Sequence, residues 1–114
     1  MSIVLNHTIV PVADKERGAA FLAELLGVAI GAPAGPFVPV RINDDLTFDF
    51  DDRWGARPGH YAFLVDDGTF DAALACAQRT GREWVLAPRS SGRAVYVRDP
   101  DGIAYELFTA IPDE

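Results

Sequence analysis

The chain has 114 residues, 49% of them hydrophobic, and a formal net charge of −7. A single domain of that size can hide about 65% of the surface its unfolded chain exposes, so a real core is within reach. No apolar run approaches the ~20 residues that span a bilayer, and the acidic balance argues against a nucleic-acid surface, which needs clustered Lys and Arg.

The opening "MSIVLNHTIVPV" has neither a basic region nor a small-residue cleavage site, so no signal peptide is expected. The single cysteine, Cys76, excludes an intrachain disulfide and fits a reducing, cytoplasmic setting. Ser2–Val12 is rich in β-branched residues and reads as a strand ending near Pro11. Asp14 can then cap a helix, with Glu16 favourably placed in its first turn. Phe21, Leu22, Leu25 and Leu26 make one apolar face, and Gly27 supplies the stop. Short strands are expected around Val28–Ile30, in "FVPVRI" and in "LTFDFD", separated by "GAPAGP" and by the polar turn Asn43–Asp45.

After "WGARPG" the order restarts. "HYAFLV" reads as a strand, Asp67 as the helix cap, and Phe70, Ala73, Leu74 and Ala77 as an apolar stripe ending at Gly81. Strands near Trp84–Leu86, in "RAVYVR" and in "IAYELFT" complete the half. Both halves therefore read β-α-β-β-β, module one over about residues 1–56 and module two over about 57–114. The registers agree with a duplication: His7 and His60 are 53 positions apart, Gly27 and Gly81 are 54 apart, and Asp49 and Glu106 are 57 apart.

Strand side chains alternate between two faces. In the last strand Ala104, Glu106 and Phe108 share one face; in "LTFDFD" Thr47, Asp49 and Asp51 do. The chain has only two histidines, and both stand at the start of a module's first strand. If the modules are related by approximate two-fold symmetry, His7, His60, Glu106 and Asp49 fall on a shared concave face. Two imidazoles with one or two carboxylates suit Zn²⁺, Mn²⁺, Fe²⁺, Ni²⁺ or Co²⁺. A buried carboxylate costs several kcal/mol, by order of magnitude, unless it is paired or metal-bound. Each residue also has a plainer reading, as a hydrogen-bonded strand histidine or a solvent-facing acid.

The segments "LNHTIVPVADKERGAAFLAELLG", "GHYAFLVDDGTFDAAL" and "VYVRDPDGIAYELF" resemble the vicinal oxygen chelate superfamily, which includes glyoxalase I, bleomycin-resistance proteins, fosfomycin thiol transferases and extradiol dioxygenases. The resemblance spans nearly the whole chain. It implies an α+β fold of two tandem βαβββ modules forming a cupped mixed sheet around one divalent metal ion. It further implies that His7, His60 and Glu106 are the metal ligands and that Glu106 is the catalytic candidate. Asp49 matches the position where glyoxalase I-like members carry a fourth ligand, with a side chain one methylene shorter than the usual Glu.

The expected function is that of a metal-dependent lyase, isomerase, transferase or dioxygenase. It binds a small molecule through adjacent oxygens and stabilises an enolate or oxyanion. The alternative is a non-catalytic binder that sequesters a small molecule such as an antibiotic. The expected partners are a small-molecule substrate and a second copy of the chain, in a homodimer, with no nucleic acid and no membrane. A ferredoxin-like α/β barrel is the competing fold. Tyr61, Tyr96, Arg41, Arg93 and Arg98 are the further candidates for substrate contacts, with Arg98 also placed to brace the DPDG turn.

Overall fold

A computed structural model of the chain describes residues 2–88 and 91–110. It divides into two compact units, Met1–Arg57 and Pro58–Glu114. The architecture is α+β, and each unit is a βαβββ module.

In the first unit β1 (His7–Pro11) leads into α1 (Lys15–Leu26), followed by β2 (Val38–Arg41) and β3 (Thr47–Asp51). The sheet order is β1-β3-β2, with β1 parallel and β2 antiparallel to β3. The Asp14 carboxylate accepts the Arg17 N–H at 3.0 Å, satisfying one of the donors a helix leaves unpaired at its start. Gly27 closes the helix in the left-handed conformation (φ 69°). Leu22 and Leu25 are buried, as are Val10, Val40, Phe48 and Phe50, in keeping with the apolar stripe. The helix comes down on β2 and β3, and closely: a methyl group at Gly18 would meet the Phe50 ring at 3.1 Å.

The strand expected around Val28–Ile30 is reduced to one bridging residue, Ile30 opposite Val40. The opening strand is also shorter than the β-branched run suggests. It begins at His7, because β3 supplies pairing only from Thr47 onward, where the Thr47 N–H bonds the Asn6 carbonyl. Ile3, Val4 and Leu5 lie before it, exposed.

The second unit repeats the plan with a full complement of strands: β4 (His60–Leu64), α2 (Asp67–Thr80), β5 (Trp84–Ala87), β6 (Ala94–Arg98) and β7 (Ala104–Phe108). The sheet order is β4-β7-β6-β5, with β4 parallel to β7 and the other pairs antiparallel. The cap of α2 is Asp66, not Asp67. Asp66 has the extended backbone of a capping residue and its carboxylate takes the Thr69 N–H at 2.7 Å, whereas Asp67 is already the first helical residue. Two adjacent aspartates compete for one role, and backbone geometry decides. Phe70, Ala73, Cys76 and Ala77 are the buried face of α2, so Cys76 is a packing residue. Arg93 ties the start of β6 to α2: its guanidinium bonds Asp71 at 2.7 Å and Asp67 at 2.9 Å and lies over the Phe70 ring at 4.2 Å.

Among the described residues no helix is long and apolar enough to cross a membrane.

Candidate functional site

The pairing registers of the two modules coincide. In module one His7 stands opposite Thr47 and Ile9 opposite Asp49; in module two His60 stands opposite Ala104 and Ala62 opposite Glu106. Directly paired residues on neighbouring strands point to the same face. Each module therefore puts its histidine and its acid on one face, one diagonal step apart. The other face carries Phe48 and Phe50 in module one, and Tyr105 and Leu107 in module two, all buried.

Strand order explains how the four side chains differ in exposure. The histidines lie on β1 and β4, which pair on one side only within their sheets, and both are exposed. The acids lie on β3 and β7, each held between two strands. Glu106 is only 8% exposed and Asp49 is half-buried.

In module two the pair closes. His60 Nε2 lies 2.9 Å from Glu106 Oε1, so the buried carboxylate has an imidazole partner. The Tyr96 ring stands edge-on to the His60 ring, with centroids 5.7 Å apart, and Tyr96 is paired with Glu106 in register. Beside them opens a cleft of about 340 Å³, lined by His60, Glu83, Val85, Tyr96, Arg98 and Ala104. In module one His7 Nδ1 is 3.0 Å from Asn6 Oδ1.

Of the further candidates, Tyr61 faces away from His60 and stacks on Tyr105 at 5.9 Å; burial raises its hydroxyl pKa. Arg93 is committed to Asp67 and Asp71. Arg41 donates to Thr47 Oγ1 at 3.2 Å and to the Asp44 carbonyl. Arg98 braces the DPDG turn through the Gly102 carbonyl at 3.0 Å and also lines the cleft. Tyr96 and Arg98 thus share the His60 face.

A group that sequence reasoning missed lies at the start of α1, where Asp14, Glu16 and Asp52 bring carboxylate oxygens within 4.8 Å of one another. Two of them already serve the helix end: Asp14 caps it, and Asp52 accepts the Lys15 N–H at 3.1 Å.

The structure is similar to those of two proteins described as oxidases. Oxidase ChaP-H2 shares 34% identity with a TM-score of 0.93, over 100% of this chain and 98% of that one. Oxidase ChaP-H1 shares 37% identity with a TM-score of 0.90, over 96% of this chain and 98% of that one. At 21% identity the fold alone is shared with the fosfomycin resistance protein FosX from Listeria monocytogenes, with a TM-score of 0.80 over 97% of this chain and 96% of that one. No protein-family model and no curated protein sequence matches the chain. Fold, duplicated register and these relatives define its class: the chain belongs to the vicinal oxygen chelate superfamily. Enzymes and resistance proteins share this fold.

Proposed function

We propose that the protein is a divalent-metal enzyme that oxidises a small molecule bearing adjacent oxygens. In this reading His7, His60 and Glu106 hold the ion and Asp49 stands by as a fourth ligand. The observation that carries the reading is the His60–Glu106 pair. An imidazole nitrogen and a carboxylate oxygen, donors that suit intermediate divalent cations, converge at the edge of an open cleft. The oxidative direction rests on the two relatives above 30% identity, both described as oxidases.

When bound, such a cation supplies Lewis acidity to two substrate oxygens. The chain's own residues do the rest. β7, clamped between β4 and β6, fixes the Glu106 carboxylate, and His60 on the edge strand completes the pair. Val85, Ala104 and the Tyr96 ring give the cleft apolar walls that displace water from a bound ligand. Within this reading the protein acts in the cytoplasm as a homodimer on a small-molecule substrate.

Elemental analysis of protein purified without chelators tests the assignment. About one metal per chain is expected, lost in His7→Ala, His60→Ala and Glu106→Ala. Metal-free wild-type protein would return the alternative of a non-catalytic binder.

A further inference from the structure

Two rows of paired residues cross the module-two sheet on its His60 face. One row runs Ala62–Glu106–Tyr96–Val85 and the other His60–Ala104–Arg98. Strands lie about 4.8 Å apart, so the His60 and Arg98 backbones are about 10 Å apart, with only the Ala104 methyl between them. That gap is the floor of the cleft, with an imidazole at one end and a guanidinium at the other.

Module one has the same row with different contents, His7–Thr47–Arg41. There the middle residue is Thr47, whose hydroxyl accepts from Arg41 at 3.2 Å. In module two, alanine at the middle position leaves the guanidinium without that tie. Arg98 uses Nη1 on the Gly102 carbonyl, and its Nε lies 3.8 Å from Glu83 Oε1, beyond hydrogen-bond reach. The brace to Gly102 pre-orients a group with five donors, which lowers the entropy lost on capturing a ligand.

Resting on the functional reading above, we propose that Arg98 reads an anionic group of the substrate. The cleft takes a small planar acid whose adjacent oxygens turn to His60 and Glu106 and whose carboxylate, about one aromatic ring away, bonds Arg98. A volume of about 340 Å³ is at the small end of the ~300–1,000 Å³ typical of ligand pockets and fits a one-ring molecule. Glu83 is the local opponent, since its carboxylate competes for the same guanidinium.

The test uses three probes: protocatechuate, catechol, which lacks the carboxylate, and dopamine, in which a cation replaces it. Binding is measured by calorimetry on Zn²⁺-loaded and chelator-stripped full-length protein. Wild-type protein is expected to bind protocatechuate about tenfold or more tighter than catechol, the scale of one charge-assisted hydrogen bond. Arg98→Gln erases that ratio while leaving catechol binding within about twofold, and Arg98→Lys restores part of it. The exposed Glu83→Gln raises the ratio. No preference in the wild type, equal losses for both probes in Arg98→Gln, or tighter binding of dopamine than protocatechuate would each overturn the proposal. The ratio of affinities carries the inference and metal content is measured on the same samples, so either reading can fail while the other stands.

Discussion

His60 and Glu106 are 46 residues apart in the chain, yet they meet at 2.9 Å because β4 and β7 pair in parallel with a fixed offset. The imidazole sits on an edge strand and the carboxylate on a central one. The two are therefore unequal: Glu106 is enclosed by its neighbours and leans on His60, while His60 also has open space around it.

Removing the imidazole should cost more than its exposure suggests. His60→Ala leaves a carboxylate at 8% exposure without that bond and is expected to destabilise the fold by about 1–3 kcal/mol. Glu106→Gln keeps a hydrogen-bonding group of similar shape and should unfold close to wild type while losing bound metal. Denaturant melts and elemental analysis of the two variants separate these effects.

Asp49 occupies the register position of Glu106 but is one methylene shorter. Asp49→Glu should extend the carboxylate further from β3 and raise metal affinity several-fold. Asp49→Ala should lower it less than His60→Ala does. Competition with a metal-sensitive dye measures all three, and a larger loss in Asp49→Ala would make this acid a principal ligand.

Acid should weaken module one through Asp51. Arg53 holds this buried carboxylate with two side-chain bonds, 3.0 and 3.1 Å, and a backbone bond at 3.0 Å, and pulls its pKa below the ordinary carboxylate value. Because the folded pKa is depressed, the contribution is present above the unfolded value of ~3.9 and lost as pH falls through the folded one. Asp51→Asn should lower stability at neutral pH and flatten the acid limb below about pH 4, as read in melts across pH.

The two candidate caps of α2 are told apart by truncation. Asp66→Ala removes the acceptor of the Thr69 N–H and should cost about 1 kcal/mol. Asp67→Ala removes only a surface ion pair with Arg93, one of two that Arg93 makes, and should cost well under about 1 kcal/mol. Equal losses would contradict the capping geometry.

Much of the fold was legible because its signals are local. Period-two alternation set Glu106 and Leu107 on opposite faces, helical spacing marked both buried stripes, and Gly27 and Gly81 ended the helices in the conformation that glycine tolerates best. Where the reading missed, the cause was competition or pairing. Asp66 and Asp67 offer the same chemistry and differ only in backbone geometry. The β-branched run Ile3–Leu5 has strand propensity, but its sheet partner begins only at Thr47. The cleft was invisible for another reason. It comes from Ala104 standing between His60 and Arg98 across three strands, a coincidence of registers that no single segment encodes.

A carboxylate on an inner strand and an imidazole on an outer one give an engineer unequal freedom. Replacing Glu106 disturbs the packed interior from which it projects, whereas His60 can be exchanged for cysteine, aspartate or a longer acid with little repacking. The module thus has a built-in dial for changing which metal it prefers, set by one solvent-facing position and leaving the scaffold untouched.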